Sequence, residues 1–549
     1  MDYSLSFPQP ILYYLLAGAA LTAFAVLAAL PPRRVSRETA FEGTFLLSAW
    51  AALFACRWPI FLWPEPLNPD EGAFIACAMK ARFDWIPWRG FDAGSSGPLN
   101  CDILALPALF GAHMGFFSAR VTGLCLIAGA ICTLYYTVKW IYGAGVARLS
   151  IVPPVLLFAL TKTADFVHYS SEHLSIFLTT AALAAAAYLA RGMGSKSSRL
   201  IVCAIGGLCL GSTPFAKLQA SPIGLAVLAS LAVALFITSP RFSIDKRLEV
   251  FVLVAALLAV PVAIVISLYA TGTLMDAVIP YYIMSLDYIG SRPPVGISYF
   301  FLSADDYTVF LTCSLVVILA AGGLLYSRIQ FDRILVWAAM SSILLFLASF
   351  FAIYQAHRPF PHYLLFSVVP VSSCVANVLG LVRYPDGQTG RGMLVRGLFV
   401  VFFLIPLGIT PLESSYDFNS KAIVSKRSGA VAISRYAKPG DRMVVWGWRP
   451  EYYVQTKTIM SVRDPSIERL LLQTPYREYF RERFMSDLRT HPPLVFVDGV
   501  APRAFAYRDR AKDGIESFPA LEAFVREHYT EREEIAKVRI FVAKDQLDR

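Results

Sequence analysis

Apolar runs of membrane-crossing length recur along most of the chain, and the pattern changes near residue 412. A helix needs about 20 predominantly apolar residues to cross a bilayer. Runs approaching this length lie near 11–31, 43–63, 117–140, 149–163, 173–190, 200–216, 222–238, 249–268, 305–325, 334–353, 363–382 and 395–411. The pattern predicts about twelve transmembrane helices, the fourth being the shortest. Beyond 412 the spacing becomes mixed. DRMVVWGW (441–448), PLVFVDGV (493–500) and KVRIFVAKD (537–545) read as short strands bounded by turn residues. SIERLLLQTPYREYFRERFMSDLRT (466–490) reads as a helix with charges opposite its apolar positions. The prediction is a polytopic α-helical membrane domain, 1–411, followed by a small α/β domain, 412–549, outside the membrane. No repeat of 20–50 residues is visible.

The polar connections orient this arrangement. Alternate loops, PPRRVSRE (31–38), RGMGSKSSR (191–199), RFSIDKR (241–247), YSRIQFDR (326–333) and RYPDGQTGRGMLVR (383–396), are basic and fall on one side. Cytoplasmic loops carry such an excess, so these are placed inside. The opposite loops hold few basic residues, among them Lys80, Arg82, Arg89, Lys217, Arg292 and Arg358. Residues 64–116, residues 269–304 and the tail then face outside. The net charge of +10 follows this bias rather than a basic, aromatic-studded soluble face, which excludes a nucleic-acid partner. Only 16% of residues are charged, against about 25% in soluble domains. Most of the nine cysteines sit in apolar runs, and no CxxC occurs. Cys77 and Cys101 lie in the first outside loop and can pair if it meets an oxidising compartment. No basic region precedes the first apolar run, which is therefore expected to be a retained helix.

One polar island changes the picture. NPDEGAF (68–74) sets two adjacent carboxylates, Asp70 and Glu71, beside an apolar span. Asn68 suits an N-cap, Pro69 the first helical turn, and both acids the positive end of a helix. The segment DEGAFIACAMKARF (70–83) has helical apolar spacing, suiting a helix on the membrane surface. Further polar groups recur on the same predicted side. They are Asp92 and Asn100 in RGFDAGSSGPLN (89–100), Asp165, His168 and Glu172 in TKTADFVHYSSEH (161–173), and Lys217 with Gln219. Asp287, Tyr288 and Arg292 follow, then Gln355, His357, Arg358 and His362. Each alone has a structural or snorkelling reading, but their shared side points to chemistry. Acids, bases and cations facing outward suit transfer from a lipid-phosphate donor. When an acceptor hydroxyl attacks the anomeric carbon of a sugar on polyprenyl phosphate, a carboxylate must take the hydroxyl proton. Cations or fixed donors must stabilise the departing phosphate. Asp70 suits the first role, and Lys217, Arg292, Arg358 and His362 the second. The rival reading is a lipid or solute transporter or flippase, against which stand the scarcity of midplane charge and the outside α/β tail.

Several of these segments carry a resemblance. The acidic pair in the first outside loop, the SAR at 118–120 and the late RPFPHYLLFSVVPV (358–371) together resemble the GT-C membrane glycosyltransferases. The likeness is to the bacterial branch near the protein mannosyltransferases and the lipid A aminoarabinose and galacturonic acid transferases. It covers about residues 43–411, and VVWGWRPEYYVQTKT (444–458) is similar to the outside domains of such enzymes. No single motif is specific; the ordered set is. The resemblance implies inverting transfer from a polyprenyl-phosphate sugar to a cell-envelope glycan, lipid or protein acceptor at the outer face of a bacterial inner membrane. It implies Asp70 as base with Glu71 beside it, and a second acid at Glu172, with Asp165 competing. Arg120, Asp92, Asn100, Asp165, His168, Gln219 and Tyr288 are the expected substrate contacts. The aminoarabinose branch has a lysine before Pro-Pro-Leu, whereas this chain reads Ser96-Gly97-Pro98-Leu99. Another cation must then hold the donor phosphate, Lys217 first and Arg358 second. Metal dependence varies among such enzymes, so Asp70 with Glu172 is also a candidate pair for a divalent ion (Mg, Mn or Ca).

Overall fold

The computed structural model describes residues 10–30, 38–237, 244–290, 296, 298–299, 303–325, 332–382, 390–408, 428–502 and 504–546. Arg292, the predicted domain boundary at 411/412 and parts of the basic loops at 31–38, 241–247, 326–333 and 383–396 lie outside the described residues. Among those described, ten helices are long and apolar enough to cross a membrane. Shorter apolar helices at Ala144–Leu160 and Gly392–Gly408 occupy the two remaining predicted positions. The chain is a polytopic helical membrane protein with a small α/β domain at its C-terminal end.

The fourth predicted run differs in detail. It begins earlier and is split into Ala144–Ser150 and Val152–Leu160. Pro153 and Pro154 open the second piece, where a missing backbone N–H costs nothing. Every residue from Val152 to Leu160 is buried, so its all-round hydrophobicity serves the bundle interior. By contrast, Ile244–Ala270 is apolar with few buried residues and presents its side chains to lipid.

The C-terminal domain is built on a five-stranded sheet. Its strands are β1 (Arg442–Trp446), β2 (Ile459–Met460), β3 (Val495–Asp498), β4 (Tyr529–Ile535) and β5 (Val538–Ala543), in the order β2-β1-β3-β5-β4. β1 runs parallel to both β2 and β3, and β5 runs antiparallel to both β3 and β4. Three strands coincide with the predicted ones. The edge strand β4 reads YTEREEI (529–535) and lacks an apolar–polar alternation; acidic side chains on an edge discourage further pairing. The predicted helix at 466–490 is broken into Glu468–Leu471 and Arg477–Thr490. Pro475 falls in the gap, as its lack of an N–H requires.

The NPDEGAF segment starts a helix, Pro69–Ala81, capped by Asn68 Oδ1 accepting from the Asp70 amide at 3.0 Å. This helix is not laid on lipid as its spacing suggests. Glu71, Gly72, Phe74 to Met79 and Ala81 are all buried, because the C-terminal domain covers its outer face. A Cβ on Gly72 would sit 2.9 Å from the Glu451 amide nitrogen, so the close approach of that domain requires glycine here. Lys80 Nζ donates to the carbonyls of Ser461 and Val462, both at 2.9 Å.

Gly97 makes a second such contact. A Cβ there would stand 1.8 Å from the Phe215 carbonyl oxygen. The glycine amide donates to the Ala216 carbonyl at 3.1 Å, and Ser96 pairs with Lys217 as an isolated antiparallel bridge. Gly97→Ala is expected to destabilise the protein by about 1–3 kcal/mol through forced backbone displacement. A thermal unfolding midpoint equal to wild type in the same detergent would refute this.

Candidate active site

The described site residues converge where the Pro69–Ala81 helix meets the segments after Leu160, after Ala216 and before Leu365. Asp70 sits in the first turn of its helix. Burial pushes its carboxyl above the usual range, with His362, His168 and Lys217 pulling against the rise and Asp165 adding to it. Those four residues come from three separate parts of the chain, so the fold brings mixed charge to bear on this one carboxylate.

Asp165 and His362 form the best-defined part. Asp165 Oδ2 lies 3.0 Å from His362 Nδ1, and its Oδ1 accepts from Asn68 Nδ2 at 3.0 Å. His168 Nε2 is 3.6 Å from Asp165 Oδ1, too far for a good hydrogen bond. Burial works to raise the Asp165 carboxyl, but the rings of His168 and His362 outweigh it and hold it well below the ordinary range. Asn68 thus does two tasks, capping the Asp70 helix and tying it to Asp165.

Lys217 approaches from the other side. Its ammonium donates to Ser171 Oγ at 2.8 Å and to Glu172 Oε1, and it lies 5.1 Å from the centre of the Tyr363 ring. The Ser96–Lys217 bridge sets this lysine beside the turn that leads into the Leu99–Leu109 helix. Arg358 stacks on the Tyr288 ring at 3.7 Å. Its charge and that of Asp70 both reach Tyr288.

Other sequence candidates are placed elsewhere. Glu71 is fully buried, and both its oxygens accept from Arg120, from Nε at 2.7 Å and Nη2 at 2.8 Å. Arg120 also donates to the carbonyls of Ile60, Trp63 and Glu65. This pair fastens the 64–71 segment to the Phe116–Tyr142 helix. Asn100 ties the carbonyls of Gly97 and Ala216 together through Nδ2 and accepts from the Tyr169 hydroxyl through Oδ1. Gln219 donates to the Ala352 carbonyl and so braces two spans. Asp92 is buried against the C-terminal domain, paired with Arg469 at 2.7 Å and Arg483 at 2.8 Å. Burial raises the Asp92 carboxyl, yet these two guanidiniums bring it below its ordinary value. Cys77 and Cys101 are buried thiols in the same cluster.

Sequence reading missed one residue here. Glu468, in a short helix of the C-terminal domain, is raised by burial; Arg469 lowers it, Asp70 raises it further, and Arg358 lowers it. Nothing in the local sequence marks it, because its neighbours Asp70 and Arg358 come from segments far away in the chain.

Among residues that could ligate a metal, Asp165, His168 and His362 offer atoms all within 4.8 Å of one another. Two imidazoles and one carboxylate suit Zn²⁺ and related ions. The Asp70–Glu172 pair is the weaker candidate, since Glu172 is engaged by Lys217.

No family model matches the sequence, and no curated protein matches it. Solved structures do. ArnT from Cupriavidus metallidurans, bound to undecaprenyl phosphate, superposes with a TM-score of 0.57 at 13% identity, covering 90% of this chain and 97% of that one. The fold is that of the GT-C glycosyltransferases. An oligosaccharyltransferase from Archaeoglobus fulgidus, tethered to an acceptor peptide, aligns with a TM-score of 0.44 at 11% identity, covering 94% of this chain and 72% of that one. Within the GT-C frame, the fold brings Asp70, Asp165, His168, His362 and Lys217 together.

Proposed function

We propose that the protein is an inverting glycosyltransferase that moves a sugar from a polyprenyl-phosphate donor to a hydroxyl of a cell-envelope acceptor. The observation carrying this reading is the raised, half-buried Asp70 carboxylate set among His168, His362, Lys217 and Asp165 in a GT-C fold. The acceptor oxygen attacks the anomeric carbon on the face opposite the phosphate. Its proton passes to Asp70, and the C–O bond to phosphate breaks with the electron pair leaving on the phosphate. A carboxylate with a raised pKa is the stronger base for this step. Lys217, whose charge reaches Asp70, and Arg358, stacked on Tyr288, supply the positive charge that the departing phosphate needs. Glu71 and Arg120 are assigned to holding the base in place rather than to chemistry.

The sidedness follows from charge. The basic connections mark the cytoplasmic side, so the site and the C-terminal domain face the periplasm of a bacterial inner membrane. The reading is tested by following transfer of label from a panel of polyprenyl-phosphate sugars to crude envelope acceptors by the purified chain. Label in acceptor together with released polyprenyl phosphate supports it. Accumulation of lipid-linked sugar across a bilayer, with no released phosphate, would replace it by transport.

A divalent ion fits the Asp165, His168 and His362 donor set, where the buried His168 Nε2 has no close hydrogen-bond acceptor. Bound there, it would contribute Lewis-acid charge to the site. Added Zn²⁺ is expected to raise the thermal unfolding midpoint of the wild type and leave His362→Ala unmoved. An equal rise in both would place the ion elsewhere.

A further inference from the structure

The segment VVWGW has one tryptophan the sheet uses and one it does not. Trp446 ends β1, is fully buried, and donates Nε1–H to the Asp513 carbonyl at 2.8 Å. Gly447 then takes a φ of +127°, and the chain leaves the sheet. Trp448 beyond it packs against two other aromatic rings. Phe505 stands edge-on with centroids 5.6 Å apart, and Tyr507 stacks nearly parallel at 6.3 Å. Phe505 is 58% exposed although it is a large apolar ring in a folded domain. Tyr507 is held at a φ of +56°, a conformation costly for a residue with a Cβ. The Trp448 Nε1–H is enclosed and has no hydrogen-bond partner among the described residues. A buried indole N–H normally finds one. This corner of the domain therefore keeps an aromatic wall, a strained tyrosine and an idle donor that folding alone does not explain.

Its position gives the wall a use. The charge of Glu468 acts on the Tyr507 hydroxyl, and Glu468 in turn feels Asp70 and Arg358. The aromatic wall and the candidate base are thus linked through one carboxylate. A pyranose ring has apolar C–H faces that pack on aromatic rings and hydroxyls that need fixed polar partners. The Glu468 carboxylate supplies an acceptor within electrostatic reach of the Tyr507 hydroxyl, and the Trp448 Nε1–H is a donor left unpaired among the described residues.

We propose that Trp448, Phe505 and Tyr507, with Glu468, form a saccharide-binding subsite that the C-terminal domain adds beside Asp70. The occupant is a sugar ring, carried either by the acceptor or by the polyprenyl-phosphate donor. The proposal deepens the transfer reading and rests on it for the role of the bound sugar. It assigns the domain a part in specificity, since an aromatic wall selects for ring faces and a carboxylate for hydroxyl positions.

The test uses the full chain in nanodiscs. One arm measures binding to an array of soluble bacterial envelope saccharides, and the other follows tryptophan fluorescence on adding undecaprenyl-phosphate monosaccharides. Wild type is expected to bind in at least one arm. Trp448→Ala and Glu468→Gln should each weaken that binding tenfold or more. Loss confined to the soluble arm identifies the acceptor ring, and loss confined to the lipid arm identifies the donor sugar. Glu468→Gln, which keeps the shape of the side chain, should unfold at the wild-type temperature. No binding by wild type in either arm, or equal binding by both variants, overturns the subsite. Binding that depends on Trp448 in a chain without turnover would sink the transfer reading and leave the subsite standing.

Discussion

Replacement of Asp70 by asparagine is expected to lower glycosyl transfer by about 10³-fold, within the range that loss of a positioned general base produces. The substitution should leave the fold intact. The helix start is capped by Asn68, whose side chain accepts from the backbone amide of residue 70 and is untouched by the change. The wild-type rate should also carry the signature of this carboxylate. A base acts when deprotonated, and burial holds the Asp70 pKa above its ordinary value. Transfer should therefore rise with pH through that raised pKa, and kcat/KM should fall off in acid sooner than an ordinary carboxylate would dictate. In Asp70→Asn this acid limb should disappear from the residual activity. Equal transfer by variant and wild type would remove Asp70 from the mechanism and turn attention to Asp165, whose carboxylate lies directly against His362.

The sequence made the helices legible because membrane spans are long and their apolar signal is dense. It also made the acidic start of the 69–81 helix legible, since Asn-Pro-Asp-Glu states cap, first turn and dipole in four residues. What it could not display was pairing. Glu71 and Asp70 are neighbours in the chain with the same charge, yet one is locked to Arg120 and the other stands among histidines. Successive helical side chains diverge by about 100°, so adjacent acids belong to different surroundings, and only the fold says which. The same holds for Lys217. Its role depends on lying beside Ser96, a contact spanning more than a hundred residues. The C-terminal domain was legible as α/β from its strands, but its reach into the site was not. Asp92 reads as a loop acid near the chemistry, and the structure instead buries it under Arg469 and Arg483 of the tail. Glu468, a tail residue that nothing in its local sequence marks, instead lies within electrostatic reach of Asp70 and Arg358.

Arg120→Met is expected to destabilise the protein by about 3–5 kcal/mol, the usual result of leaving a buried charge without its partner. Glu71 and Arg120 are both fully enclosed, and their bidentate geometry leaves no solvent to replace the lost guanidinium. Three main-chain carbonyls, of Ile60, Trp63 and Glu65, would lose their donor at the same time. Thermal unfolding in one detergent should show the loss, and pairing the change with Glu71→Gln should recover part of it, because the orphaned charge is then gone. Activity should suffer beyond stability. The pair anchors the residues that lead into Asp70, and a displacement of about 1 Å at a reacting group costs about 10²-fold in rate. Glu71→Gln alone discriminates between anchoring and chemistry. An anchor loses unfolding temperature and activity together, with the pH dependence set by Asp70 retained in what remains. A catalytic Glu71 would instead lose activity at unchanged unfolding temperature, and the proton would then have to pass to an oxygen that Arg120 already holds.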